Sequence, residues 1–367
     1  MINPIVLRNK LLTSGFKSFV GVPDSILRNF TDTLRDSSLK NLVVANEGNA
    51  VAVAIGEYLG SGNPSVVYMQ NSGFGNAINP LVSLADESVY SIPMLLIIGW
   101  RGEPGEEDEP QHGKQGNITT KLLELLEIPF VILNDYFEES LNKLIQTMSK
   151  DSKPVALIVP KNSFLKTNSE SNSQNDFSIT RVQVIRELIR RNTNSQFFVA
   201  TTGYTARELY EIRKESGKSG QDFLSVGAMG HVSSIALGMA RNSEKQIICL
   251  DGDGSLFMHM GSMTTIGKLN GINLIHIIFN NGMHQSVGGQ PTGAANLSLN
   301  KIAENLGYDA NYELNSISDL NDFFDNFPKT GKIFVDIKIS NHSMENLSRP
   351  PKNFRLLRNE IRKIMDE

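Results

Sequence analysis

The stretch QIICLDGDGSLFMHMGSMTTIGKLNGINLIHIIFNNGMH, residues 246–284, decides how the rest of the chain is read. Gln246–Leu250 is short, apolar and β-branched, the pattern of a strand buried on both faces. Gly252-Asp253-Gly254 follows as a tight turn, where absent side chains let the backbone approach a ligand closely. A helix-like segment then leads to a second apolar run, Leu274–Phe279, which ends in Asn280-Asn281-Gly282. In an open α/β sheet, ligands bind at the carboxyl ends of strands, where the Asp and the Asn pair stand. Asp253 and one Asn offer hard oxygens suited to Mg²⁺ or Ca²⁺, and a loop carbonyl adds a third. Mg²⁺ held by so few protein oxygens completes its octahedron with phosphate oxygens and water, so the stretch reads as a metal–diphosphate site. The tripeptide alone is an ordinary turn; the order strand, turn, helix, strand, Asn pair carries the reading.

Outward from that stretch the chain alternates strand-like and helix-like segments. Residues 1–165 carry apolar runs at Leu42–Ala45, Val66–Met69, Met94–Gly99, Pro129–Leu133 and Val155–Val159. The alternation restarts with Gln196–Ala200 and continues through the two runs above to Lys332–Ile337. Strands separated by helical patterns predict two doubly wound, mostly parallel α/β domains, and nothing like a third domain lies between them. The polar, Ser- and Asn-rich segment around KTNSESNSQND (166–176) predicts a linker at 166–178 between domains at 1–165 and 179–367. Residues 350–367 predict a short amphipathic helix after Pro350-Pro351, its basic face solvated.

At 367 residues the chain is long enough for two real cores. A net charge of −4 excludes the electrostatic footprint of a nucleic-acid or anionic-membrane partner. The only cysteine, Cys249, lies in an apolar strand, so there is no internal disulfide and no Cys-based metal site. The start MINPIVLRNKLL lacks the features of a signal peptide, and no apolar run approaches the ~20 residues of a membrane span. A cytoplasmic protein is the expectation.

Strand–Gly-Asp-Gly–helix–strand–Asn-Asn resembles the motif of the thiamine diphosphate-dependent enzymes. The resemblance implies that Asp253 and Asn281 bind Mg²⁺ by side chain and Met283 by its carbonyl, with the diphosphate against Gly254-Ser255. Thr202-Gly203-Tyr204, within TTGYT (201–205), follow a strand and open a helix, where N–H groups favour an anion, so they imply a diphosphate contact. The competing reading is simple helix capping by Thr202. In VGAMGH (226–231), Met229 matches the bulky residue that bends the cofactor, and the Gly227 carbonyl would accept from its 4′-amino group; Met is equally a core filler. In VANEGNA (44–50), Asn46 can cap a helix whose first turn holds Glu47. A dipole contribution of ~0.5 kcal/mol would suffice to keep an acid there. In the family a glutamate at such a junction of the pyrimidine-binding domain bonds N1′ of the cofactor and promotes loss of its C2 proton. The resemblance implies that Glu47 is that residue here.

The compact two-domain form, pyrimidine half first, resembles the phosphonopyruvate and sulfopyruvate decarboxylases. Matching segments run along nearly the whole chain: GVPDS (21–25), NEGNA (46–50), QNSGFGN (70–76), WRGEPG (100–105), DEPQH (108–112) and MHQSVGGQ (283–290). One departure is Phe279-Asn280-Asn281, where relatives often have Asp-Asn, a conservative change for the metal. The implied activity is thiamine diphosphate- and Mg²⁺-dependent decarboxylation of 3-phosphonopyruvate to phosphonoacetaldehyde and CO₂. Sulfopyruvate decarboxylation or carboligation remain alternatives. Asp24, Ser25, Asn71, Ser72 and Arg101 are the expected substrate contacts, with Lys114 a second cationic candidate. His112 and His284 are the expected proton donors, because imidazole titrates near neutral pH. Arg101 and His112 flank the acidic loop Glu106–Glu109 and could equally pair with it at the surface. Since Glu47 and the metal residues fall in different domains, the family pattern implies a homo-oligomer with shared sites.

Overall fold

The protein is described from a computed structural model covering residues 1–167, 175–217, 221–349 and 353–366. The linker expected at 166–178 lies for the most part outside the described residues. Two compact units emerge, Met1–Ser171 with His284–Gln290, and Asn172–Met283 with Pro291–Glu367. The seven residues from His284 to Gln290 thus depart from the division read in the sequence. They close on themselves through His284 N–H to the Gln290 carbonyl (2.8 Å) and Gly289 N–H to the His284 carbonyl (2.9 Å). The Gln290 amide then donates to the Thr31 hydroxyl at 3.3 Å, within the first unit.

Each apolar run named above becomes a parallel strand, within about two residues. The first unit holds β1 (Ser18–Gly21), β2 (Lys40–Val43), β3 (Val66–Gln70), β4 (Met94–Gly99), β5 (Phe130–Ile132) and β6 (Pro154–Val159). They form one sheet in the order β2-β1-β3-β4-β6-β5. The second unit holds β7 (Gln196–Ala200), β8 (Phe223–Leu224), β9 (Gln246–Gly252), β10 (Leu274–Asn280), β11 (Ala310–Leu314) and β12 (Lys332–Lys338). Its order, β11-β12-β10-β9-β7-β8, is the first sheet's order read from the other edge. The two units repeat one topology although no repeat is visible residue by residue.

Alternation along β4 shows how each sheet is buried. Leu95 and Ile97 face one apolar cluster with Phe19 and Phe30; Met94, Leu96 and Ile98 face another with Val51 and Phe74. Burial on both faces is what parallel sheets require, and each such side chain contributes roughly 1.5–3 kcal/mol. Three strands have no counterpart among those runs: β8 has only two residues, β11 is a half-exposed edge, and β1 is four buried residues ending in Gly21. The expected terminal helix spans Phe354–Asp366, with Ile361, Ile364 and Met365 against the second unit's core. Among the described residues no helix is long and apolar enough to cross a membrane.

The order β2-β1-β3 reverses direction at β1, which opens the crevice where doubly wound sheets hold ligands. Residues after β1, β2, β3 and β4 in the first unit, and after β7, β8, β9 and β10 in the second, therefore share the carboxyl edges.

Candidate active site

In the first unit, Asn46 caps the helix Glu47–Ser61, its side chain accepting from Asn49 N–H at 2.9 Å. Glu47 occupies the first turn and is only 3% exposed. Asn76 donates to Glu47 Oε2 at 2.8 Å. The other carboxylate oxygen lies where residue 73 can have no side chain, since a Cβ on Gly73 would stand 1.9 Å from Oε1. Burial raises the Glu47 pKa above the ordinary carboxyl range, against the Asn76 hydrogen bond and the residue's own backbone N–H. A buried carboxyl of raised pKa, aimed by one amide, suits proton sharing with a ring nitrogen.

Asp24, after β1, is buried, and its Oδ2 accepts from Ile26 and Leu27 N–H, both at 3.0 Å. Burial pushes its pKa up to about 6, opposed by those N–H groups and the Arg101 charge. Arg101, after β4, donates from Nε to Asp108 Oδ2 at 2.9 Å and from Nη2 to Asp108 Oδ1, and its Nη1 reaches Ser25 Oγ at 3.3 Å. His112 Nδ1 stands 3.0 Å from the same Asp108 Oδ1. Burial disfavours the ionised Asp108, but the hydrogen bonds from Arg101, His112 and Gly102 N–H, with the Arg101 charge, hold its pKa at about 2. The two readings of Arg101 and His112 thus converge: both pair with the acidic loop, yet at one largely buried aspartate.

Two residues expected to touch substrate make hydrogen bonds within the protein. The buried Asn71 donates to the Arg101 carbonyl (2.8 Å) and Thr119 Oγ1 (3.0 Å) and accepts from Arg101 N–H (3.2 Å). With these bonds made it fixes the Arg101 backbone. Ser72 is exposed and accepts from Gln70 at 2.6 Å. Lys114 is exposed and outside the Arg101 cluster. His284 belongs to the first unit, and burial pushes its pKa down to about 4. It is neutral at pH 7, so the titration argument that nominated it does not hold.

In the second unit, Gly203 is the N-cap of the helix Tyr204–Glu215, and no side chain caps it, so Thr202 does not act as a cap. Gly203 adopts φ 92°, a backbone only glycine enters readily, and leaves the helix N-terminal N–H groups open. The Tyr204 ring lies 5.6 Å beneath the Arg181 guanidinium. The Gly227 carbonyl accepts from Ser225 Oγ at 2.6 Å and keeps a second lone pair. Met229 is half-buried in the bend that follows, where Ala228 has φ 52°. Ser255 gathers these loops: its Oγ accepts from Gly230 N–H (3.1 Å) and lies 3.0 Å from Thr201 Oγ1.

Asp253 begins the short helix after β9 and is 3% exposed. Burial raises its pKa to about 6, against hydrogen bonds from the Thr292 hydroxyl, Gly254 N–H and its own N–H, while the Asp336 charge adds to the rise. After β10, the Asn281 side chain accepts from Met283 N–H at 3.1 Å, which draws the amide and the Met283 backbone together. Asn280 instead points into the sheet and donates to Asp336 at 3.0 Å. A buried carboxylate, one amide oxygen and one backbone carbonyl make a hard-oxygen set that fits Mg²⁺. Among the described residues no three His, Cys, Asp or Glu side chains form a metal group, so phosphate and water oxygens would have to complete the coordination.

Asp108, Asn76, Gly73 and Thr292 are the residues that sequence reading missed. Asp108 was visible as the acid between Arg101 and His112; nothing in the sequence marks Thr292, which reaches Asp253 from a distant loop.

Each unit matches a domain of known proteins. A model of the N-terminal thiamine pyrophosphate-binding domain matches residues 6–123, and one of the C-terminal thiamine pyrophosphate-binding domain matches 200–337. The chain belongs to the thiamine pyrophosphate enzymes, in the branch of the phosphonopyruvate decarboxylases. It is 32% identical to phosphonopyruvate decarboxylase of Streptomyces viridochromogenes, over 92% of this chain and 88% of that protein. The same identity holds for the enzyme of Streptomyces hygroscopicus, over 92% and 87%. Sulfopyruvate decarboxylase of Methanosarcina acetivorans is 28% identical over 87% of each chain.

Proposed function

We propose that the chain decarboxylates 3-phosphonopyruvate to phosphonoacetaldehyde and CO₂, an early step of phosphonate biosynthesis, using thiamine diphosphate and Mg²⁺. The observation that carries the reading is the near full-length similarity to two phosphonopyruvate decarboxylases. The Ser25–Arg101 pair beside Asp24 supplies donors of the kind an anionic substrate tail needs.

In this reading residues 1–165 form the pyrimidine-binding domain and 179–367 the diphosphate-binding domain. Asp253, Asn281 and the Met283 carbonyl hold Mg²⁺, and Thr202–Tyr204 with Gly254-Ser255 hold the diphosphate. Gly227 and Met229 orient the aminopyrimidine, and Glu47 bonds its N1′. When bound, the cofactor supplies the electron sink that lets a 2-oxo acid lose CO₂. Glu47 holds the proton that this activation requires, kept at the right atom by Asn76. Ser25 and Arg101 orient the substrate tail. His112 protonates the product carbon, its Nδ1 fixed by Asp108 so that Nε2 is the free nitrogen. Because Glu47 and Asp253 belong to different units, we expect a homo-oligomer that shares sites between subunits.

The same donors would accept a sulfonate, and the likeness to sulfopyruvate decarboxylase makes that the second reading. The test is CO₂ release from phosphonopyruvate, sulfopyruvate and pyruvate in parallel, with and without cofactor and Mg²⁺. Cofactor-dependent turnover is expected to be fastest with phosphonopyruvate and slower but measurable with pyruvate. Preference for sulfopyruvate would move the substrate, and turnover of none would end the proposal.

A further inference from the structure

One carboxylate in the first unit receives more hydrogen bonds than any role named so far explains. Asp108 Oδ2 accepts from Arg101 Nε (2.9 Å) and Gly102 N–H (2.9 Å). Its Oδ1 accepts from Arg101 Nη2 and Glu109 N–H (2.7 Å) and faces His112 Nδ1 at 3.0 Å. Its side chain is 7% exposed, against 18% for Arg101 and 16% for His112. An exposed ion pair between such residues would contribute little and leave both partners free to turn. Here two backbone N–H groups anchor the acid on both sides, so the acid is the fixed member and the two bases are held to it.

The geometry of the arginine matters most. Asp108 engages the guanidinium along its Nε–Nη2 edge, a two-point contact that fixes the plane. Nη1 is left on the opposite side, 3.3 Å from the Ser25 hydroxyl. The Asn71 amide clamps the Arg101 backbone at both its N–H and its carbonyl. Main chain and side chain of Arg101 are thus each locked by a different residue, and a single edge is presented beside Ser25.

We propose that Asp108 is a positioning residue that sets two things at once: the Nη1 edge of Arg101 as the seat for the anionic tail of the 2-oxo acid, and the ring orientation of His112. This rests on the reading that the substrate carries a phosphonate or sulfonate tail. A preorganised donor edge lowers the cost of ordering a long side chain on binding, and that saving falls only on substrates whose tail uses it. The ring orientation of His112 serves the proton step, which every 2-oxo acid shares.

The experiment compares wild type and Asp108→Asn with phosphonopyruvate, sulfopyruvate and pyruvate, the last lacking any charged tail. Wild type turning over none of them would sink the functional reading itself, and this proposal with it. With an active wild type, the variant is expected to raise KM about 10- to 100-fold for whichever tail-bearing acid is used, and to leave KM for pyruvate within about threefold. Its kcat should fall by a similar factor for all acids, through His112. Cofactor-dependent thermal stabilisation should stay as in wild type. KM rising equally for pyruvate, or not rising for the tail-bearing acid, would overturn the proposal while leaving the function intact. Asp108→Glu, which keeps the charge one methylene further out, carries the same test if the asparagine variant does not fold. It should show a smaller KM rise confined to the tail-bearing acid, and an equal KM rise for all three acids would overturn the idea. Which of the two anions is the physiological tail is read from the wild-type arm alone.

Discussion

Glu47→Gln is expected to lower turnover about 10²- to 10⁴-fold, the usual worth of one positioned acid–base group, while Mg²⁺ and thiamine diphosphate still bind. The substitution is nearly isosteric and removes the carboxyl group that Asn76 and Gly73 surround. Burial already raises the Glu47 pKa, so the carboxyl exchanges a proton with less bias toward the ionised form than an exposed acid would. Gln cannot exchange one at all. Binding is spared because the residues proposed to hold the metal and diphosphate stand in the other unit. Gly73→Ala provides an independent approach to the same carboxyl. Its Cβ would fall 1.9 Å from Oε1 and 2.2 Å from Cδ, so either Glu47 or the backbone must move. Turnover should then fall at least tenfold, since a displaced base is a poorly aligned one. Steady-state rates with a cofactor titration check both variants. A Glu47→Gln enzyme of near-normal rate would remove Glu47 from the chemistry.

Why Glu47 could be read from the sequence, and Asp108 and Thr292 only in part or not at all, has a physical basis. Glu47, Asp253 and Asn281 follow strands whose apolar runs are short and bounded by turn residues. Each strand end is fixed by local pattern, and a parallel sheet sends all its carboxyl ends to one edge. The fold class follows from the same property, which is why nine of the strands have readable counterparts, while the two-residue β8 and the half-exposed β11 do not, nor does β1. Asp108 sits in a run of four consecutive acids, Glu106–Glu109, and composition alone cannot say which one turns inward; two backbone N–H groups decide it. Asn71 shows a different limit. Its place at a strand end was legible, but its side chain faces the protein because Arg101 and Thr119 saturate it. His284 illustrates a third limit, since an imidazole's usual pKa says nothing once burial moves it to about 4.

Asp253→Asn should separate stability from function in the second unit. The folded-state pKa of Asp253 is raised to about 6 from 3.8, chiefly by burial. Between those values the folded protein binds more protons at this site than the unfolded chain does, so its stability falls as pH rises through that window. Above about pH 6 the cost is complete, and a shift of this size corresponds to the order of 3 kcal/mol. Asparagine carries no such charge, and the Thr292 hydroxyl can remain its hydrogen-bond partner. The metal-free variant is therefore expected to melt a few degrees above metal-free wild type at pH 7.5, with the difference vanishing toward pH 4. Bound Mg²⁺ reverses the balance in wild type, because a divalent cation beside the carboxylate favours the ionised form that burial opposes. Mg²⁺ with thiamine diphosphate should raise the wild-type midpoint at pH 7.5, and that rise should shrink as pH falls through about 6, where protons compete for Asp253. In Asp253→Asn the rise should be lost at every pH, together with turnover. Differential scanning fluorimetry across pH, with and without metal and cofactor, measures all of this on one plate. A variant that still gains stability from Mg²⁺ and thiamine diphosphate, or that melts below wild type without them, would take Asp253 out of the metal site.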